Sequence, residues 1–398
     1  MSDTSTMPLH MRRVEFHPAP ELAAARDEER VTRMTTAWGQ DAWLVTHYAD
    51  VREVLGDAER FRVAPQMIAR LPGAPEMTEE QKAKVRAGNL LGLDPPEHTR
   101  LRKMLTPEFT IRRMNRMEPR IERIVEDHLD AMEAAGAPAD LVPAFSLPIP
   151  SLVICELLGV PYEEREGFQQ RTARMLDMTL PGQERMMIQF EQRAYMEGLV
   201  ARVRADPGEE LLGMLVREHG DDLSTDELVG IGGLLLFAGH ETTSNMLALG
   251  TLALLRHPEQ LALLREQPER IDATVEELLR WLSIVNSGAT KMATADTEIG
   301  GREIKAGELV ICSLPAANRD PSLVADANAF DLTRGAPGHV AFGHGVHHCL
   351  GAPLARMELR IALPALLRRF PGLRVTDTAA QFRTSSVVYG LSSFEVAW

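Results

Sequence analysis

The sequence predicts a mostly helical protein with a small β portion. Three observations carry this. Apolar residues recur at helical spacing over roughly 91–283 and 342–371. Strand and turn patterns are confined to short stretches near 40–47, 284–315 and 382–398. One segment, "STDELVGIGGLLLFAGHETTSNMLALGTLALLR", is apolar along most of its length and opens with Ser224 and Glu227 spaced as a capping box. It predicts a helix of about 32 residues that stops near Arg256, before Pro258. No repeat and no low-complexity linker divides the 398 residues, so a single domain, 1–398, is expected.

In chain order, "DAWLVTHYADVREVLGD" reads as a short strand, Trp43 to Thr46, followed by a helix. Residues 62–90 carry prolines and mixed charge, and they read as a long loop of the kind that serves function. Helical patterns follow through "EHTRLRKMLTPEFT", "RIERIVEDHLDAMEAAG", "IPSLVICELLGV" and a methionine-rich pair around residues 173–203. "TEIGGREIKAGELVICSL" is hairpin-like, and "SSVVYGLSSFEVAW" supplies further short strands.

Composition narrows the function. The formal net charge of -14 argues against a nucleic-acid binder, which needs a basic footprint. Three cysteines are too few for a disulfide framework. Cys155 and Cys312 lie in apolar runs and read as small buried hydrophobes. The first residues show no apolar run after Arg12–Arg13, so no signal peptide is expected and the cytoplasm is the expected compartment. The long apolar helix is not expected to span a membrane. Its centre carries His240, Glu241, Thr242, Thr243, Ser244 and Asn245, which would be costly in lipid. Those residues suit instead the wall of an internal cavity, where a carboxylate and a hydroxyl sit side by side.

"FGHGVHHCLG" holds His344, His347, His348 and Cys349 within six positions. A structural zinc site draws its ligands from separated segments, and three consecutive side chains do not converge easily on one ion. A single thiolate fits better. Cys349 precedes the helical pattern "APLARMELRIALPALLRRF", and a helix N-terminus stabilises a thiolate. Gly343, Gly345 and Gly351 allow a loop that lies flat against a planar ligand. A planar, thiolate-ligated metal cofactor is haem.

These residues resemble the haem signature of the cytochrome P450 superfamily at each fixed position: Phe342, Gly343, Gly345, His347, Cys349 and Gly351. "AGHETT" resembles the acid–alcohol motif of the family's central helix, with Glu241 and Thr242 as the pair. "EELLR" resembles its E-x-x-R element, with Glu277 and Arg280 one turn apart and a later arginine, Arg334, completing a structural triad. "DPPEHTRLRKML" resembles the segment whose His98 and Arg102 meet haem propionates. The resemblance covers nearly the whole chain and is closest to soluble bacterial members. It implies the P450 fold, a triangular helical prism with the long central helix over the haem.

The same resemblance implies haem b with Cys349 as axial ligand, and monooxygenation. One atom of O2 enters a C–H or C=C bond, and the other leaves as water. Glu241 and Thr242 would manage protons, Ala238 and Gly239 would leave space for dioxygen, and His98, Arg102, Lys291 and His347 would offset the propionate charges. Many bacterial relatives have arginine where this chain has Lys291, which keeps the charge but loses the bidentate fork. His344 and His348 are expected not to ligate. Relatives that run on peroxide replace the acid–alcohol pair by Arg-Pro, so Glu241–Thr242 argues against that chemistry. The chain carries no dinucleotide fingerprint, so electrons are expected from a ferredoxin and its reductase, docked on basic stretches "RLRKML", "IRRMNRM" and the Arg356/Arg360 helix. A monomer is expected. By resemblance the pocket is lined from 62–92, 170–196, 231–245, 283–291 and 386–390. The candidates are Met67, Ile68, Leu90, Met175, Met178, Met187, Val285, Val387 and Val388. A methionine-rich lining suits a large, mostly apolar substrate.

Overall fold

A computed structural model describes residues 7–36, 39–64, 76–335 and 338–398. They fall into two compact units: residues 1–62, 117–149 and 242–398 form one, and 63–116 with 150–241 form the other.

The first unit holds the β structure. Asp41–Val45 lies between Val31–Thr35, antiparallel to it, and Leu309–Cys312, parallel to it; Ala289–Ala293 then pairs antiparallel with Leu309–Cys312. An edge strand that starts at Phe61 completes five strands. Val31, Val45, Phe61, Ala293, Val310 and Cys312 form one apolar cluster with Val51, Val54 and Leu55 of the helix Tyr48–Gly56. The expected hairpin is present, Thr297–Ile299 against Arg302–Ile304. The strands Leu391–Ser393 and Glu395–Ala397 fall where the last pattern placed them.

Two helices of this unit matter most for the site. Ala352–Arg369 packs against Glu118–Ala135 and against Ile271–Leu282. On Ile271–Leu282, Glu277 and Arg280 are fully buried and joined by two bonds of 2.7 Å. The remaining Arg280 donors reach Asn318 O (2.9 Å), Ala327 O (2.8 Å) and Ala329 O (3.1 Å). All five donors of the guanidinium are therefore used. Glu277 Oε1 also accepts from Asp331 N (3.0 Å) and lies 3.5 Å from Arg334 Nε. The triad thus ties a helix to the loop that follows the sheet.

The second unit is helical. Arg165–Leu176, Gly182–Ala205 and Leu211–His219 pack in succession. The central helix is Thr225–Arg256, 32 residues long, with its residues to Glu241 in this unit and the rest in the first. Its capping box is formed: Glu227 N donates to Ser224 Oγ (3.1 Å), and Ser224 N donates to Glu227 Oε2 (2.8 Å). Arg100 and Arg193 pair with Glu227 and Asp226 at that helix start, where carboxylates also favour the helix dipole. Among the described residues, no helix is long and apolar enough to cross a membrane.

The loop expected over 62–90 needs one correction. Residues Glu79–Arg86 form a helix, capped reciprocally by Thr78 and Gln81. The pattern T-x-x-Q was present in "TEEQ", but the helix has no buried residue, so no apolar stripe announced it.

Arg280→Ala leaves a buried carboxylate and three buried carbonyls without their cation. We expect a stability loss of roughly 3–5 kcal/mol, read as a lower urea midpoint with unchanged slope.

Candidate functional site

The cysteine loop is shaped by backbone bonds and two left-handed glycines. Gly343 N donates to Val340 O and Cys349 N to Phe342 O, both at 2.9 Å, and His348 N donates to Gly345 O at 3.0 Å. Gly343 and Gly345 have φ of 73° and 70°. A Cβ on Gly345 would lie 2.2 Å from Leu55 O, so the loop presses directly on the end of the helix Tyr48–Gly56. The path ends at Cys349, followed by the helix Ala352–Arg369.

Cys349 is exposed, whereas Cys155 and Cys312 are buried and burial pushes their thiols up to about 12. Only Cys349 combines access with a helix N-terminus that favours a thiolate. Among the described residues, no group of three or more histidine, cysteine or acidic side chains is placed to hold a metal ion. One accessible sulfur on a glycine-shaped loop is the donor set that a thiolate-ligated haem requires, so the residues present fit that cofactor.

Behind the loop lies a network that sequence reasoning did not select. Arg356 Nε and Nη2 bond Glu276 Oε1 (2.5 Å) and Oε2 (2.8 Å), and His339 Nε2 lies 3.2 Å from Glu276 Oε2. The Arg356 guanidinium stacks over Phe342, 4.6 Å from the ring centroid. Burial pushes the Glu276 carboxyl up, but the bonds from Arg356 and His339 outweigh it and bring it down to about 2. The available signal was the pair of glutamates in "EELLR", of which only Glu277 was read. Arg356 and Arg360 were expected to present a basic docking face. Instead Arg356 is committed to Glu276, and Arg360 Nη1 lies 3.2 Å from Asp272. Arg112 and Arg116 stay exposed.

The remaining candidates sort by unit. Thr242, Lys291, Phe342, His347, Cys349 and Gly351 belong to the first. Lys291 is buried on the strand Ala289–Ala293, opposite Val310. His98, Arg102, Ala238, Gly239 and Glu241 belong to the second. His98 is buried and Arg102 partly buried, four residues apart on the helix Glu97–Leu105. Glu241 is buried, as are Thr243, Ser244 and Asn245 beyond it. His240, next to Glu241, has its Nδ1 2.6 Å from Leu236 O and its ring edge-on to Phe168. Gly239 needs a correction. A Cβ there would lie 2.8 Å from Ile154 Cδ1, so the missing side chain serves close helix packing rather than open space.

Of the substrate candidates, the structure brings together Val285, Val387 and Val388. Val285 bridges Val388, Asn286 N donates to Val387 O (3.0 Å), and Tyr389 N donates to Ile284 O (2.8 Å). Leu90 is buried; Met175 and Met178 are half-buried. Met187 is 57% exposed, while Met186 and Ile188 on the same helix are buried, so those neighbours are the inward ones. Met67 and Ile68 lie outside the described residues.

Comparison with known proteins names the class. The family model described as Cytochrome P450 matches residues 209–388. Cytochrome P450 FAS1 of Rhodococcoides fascians is 47% identical, with each chain covered in full. Nocardicin C N-oxygenase of Nocardia uniformis subsp. tsuyamanensis is 41% identical over 97% of this chain and 96% of its own. Among solved structures, P450 StaH from glycopeptide antibiotic A47934 biosynthesis superposes with a TM-score of 0.87 at 46% identity, covering 98% of this chain and all of that one. CYP105P1 in complex with filipin I gives a TM-score of 0.89 at 40% identity, over 97% of each. The chain belongs to the cytochrome P450 family; it is a haem b monooxygenase.

The Glu276 cluster sets a pH dependence. Its folded carboxyl is depressed below the ordinary glutamate value of about 4.5. Its stabilising contribution is therefore complete above pH 4.5 and is lost as the pH falls toward about 2. Denaturant midpoints at pH 5.5 and 3.5 should differ more in the parent protein than in Arg356→Met, with no such difference between pH 6 and 8.

Proposed function

We propose that this protein oxygenates a bulky, mostly apolar natural product, with electrons delivered by a separate ferredoxin and its reductase, and that Cys349, Glu241 and Thr242 carry the chemistry. The observation that carries this reading is the single accessible cysteine on a glycine-shaped loop ahead of a helix.

Haem b, when bound, supplies the redox-active iron that activates dioxygen. Cys349 Sγ would supply the thiolate that holds the haem iron, and the Phe342 carbonyl accepts from the Cys349 amide and so fixes the backbone beside it. His347, Lys291, His98 and Arg102 supply positive or hydrogen-bonding groups for the two propionates. Phe342, Gly343 and Gly351 would shape the surface that receives the macrocycle, and Ala238 would present a small side chain to it. The Glu241 carboxylate takes protons from solvent and passes them on, while Thr242 Oγ1 holds the proton-bearing water in place. Glu277, Arg280 and Arg334 hold the scaffold.

Support for the substrate class comes from two sides. Relatives include nocardicin C N-oxygenase, pentalenic acid synthase and a P450 of glycopeptide antibiotic A47934 biosynthesis, and one solved structure holds filipin I. In this chain, Val285, Val387 and Val388 form one apolar surface. The ferredoxin reading rests on the same kinship and on the exposed Arg112 and Arg116 beside the exposed Ile111.

Two measurements test this. The reduced, carbon-monoxide-treated protein should show the red-shifted Soret band of a thiolate ligand. Cys349→Ser should lose it and His344→Ala should keep it, while Thr242→Ala should keep the band and lower product per electron consumed by roughly tenfold or more. Reduction by a surrogate ferredoxin should slow severalfold between 50 and 300 mM salt, and less so in an Arg112→Ala/Arg116→Ala variant.

A further inference from the structure

The helix Ile271–Leu282 ends in an awkward way. Its C-cap, Ser283, adopts the left-handed conformation (φ 41°, ψ 67°) without being glycine. The carbonyls of its last turn are buried and need donors. Those donors come from far away in the chain. Arg13 Nη1 donates to Leu282 O (2.8 Å), Nη2 to Ser283 O (2.5 Å) and Nε to Asn286 Oδ1 (2.8 Å). Asn286 Nδ2 in turn donates to Met11 O (2.7 Å), and His10 Nε2 bonds Ser287 O (3.1 Å). Burial lowers His10 to about 4, so its ring is neutral at neutral pH and Nε2 is the protonated nitrogen. Arg13 is buried and remains charged, with its guanidinium 4.7 Å from the Tyr389 ring centroid. The Tyr389 hydroxyl donates to Glu15 O (2.6 Å).

Every one of these contacts falls on residues that bracket the apolar tips. Residues 282–287 flank Val285, and Tyr389 follows Val388. The tips themselves are joined only by the Val285–Val388 bridge and a few backbone bonds. A two-stranded contact of that size does not hold its own geometry in water. The segment from His10 to Glu15 braces both sides of it.

We propose that Arg13 is a positioning residue for substrate selection: through Leu282, Ser283, Asn286 and Tyr389 it sets the distance between Val285 and Val388, and hence the shape offered to a bulky ligand. This rests on the reading above that these valines face the substrate. Lysine cannot replace Arg13, because one ammonium on a flexible stem does not reproduce a fork that serves three acceptors and stacks on a ring.

Two azoles test the proposal on the haem-loaded protein: imidazole, too small to reach the tips, and clotrimazole, bulky enough to press on them. Both report binding through the Soret shift. In Arg13→Lys and Arg13→Gln we expect the clotrimazole Kd to rise roughly tenfold. The imidazole Kd and the carbon monoxide band should stay as in the parent. Tyr389→Phe should move clotrimazole in the same direction by a smaller factor. If Arg13→Gln fails to hold haem, Arg13→Lys and Tyr389→Phe decide the matter. Val285→Ala and Val388→Ala check the underlying reading. If these change clotrimazole binding while the Arg13 and Tyr389 variants do not, the bracing role is wrong and the lining is right. If the valine variants leave clotrimazole unchanged, the lining assignment fails, and the proposal with it. Equal weakening of both azoles would show Arg13 acting on the fold as a whole and would also overturn it.

Discussion

The buried pair Glu277–Arg280 is the constraint on which much of the first unit depends. A fully buried arginine is tolerable only when every donor is met, and here all five are. Three of the acceptors are backbone carbonyls at residues 318, 327 and 329, so the pair dictates the path of the loop behind the helix. Asn318 carries that constraint onward. Its Oδ1 accepts from Val340 N (2.8 Å), at the root of the cysteine loop, and its Nδ2 donates to Ser283 Oγ (2.7 Å), at the end of the helix. One ion pair therefore fixes, through one asparagine, both the approach to the cysteine loop and the start of the segment that carries Val285 and Lys291.

The neighbouring residue makes a second connection. Glu276, on the adjacent face of the same helix, holds Arg356, which stacks on Phe342. Phe342 O in turn receives the Cys349 amide. The loop is thus held from its root by Asn318 and from its aromatic residue by Arg356. One anchor, Arg356, sits on a helix, and the other, Asn318, sits on a loop fixed by the buried ion pair, so the site is positioned by groups far apart in the chain.

Legibility in the sequence followed the strength of local signals. The central helix, its capping box, the hairpin at 297–304 and the E-x-x-R pair were all readable, because each depends on residues a few positions apart. The short helix Glu79–Arg86 was hidden because it buries nothing and so has no apolar stripe. Met187 was read as inward because a methionine-rich segment does not say which of two adjacent methionines faces the interior. Arg356 and Arg360 looked like free charge because their partners, Glu276 and Asp272, are some 80 positions away. The bracing role of Arg13 was invisible for the same reason, with partners about 270 positions distant.

By itself, the sequence pointed to one of four crowded candidate ligands in "FGHGVHHCLG", Cys349, as the carrier of the metal chemistry. Glycine spacing, and a helix pattern beginning just after Cys349, are local properties, and local properties survive without a fold. Only the tertiary structure decided which charges are already spent, which glycine makes room for a neighbouring helix, and which distant arginine holds the apolar tips. Those outcomes depend on which buried donor finds which buried acceptor. That matching is imposed by the cost of leaving either one unpaired, and it is settled only when distant segments pack together.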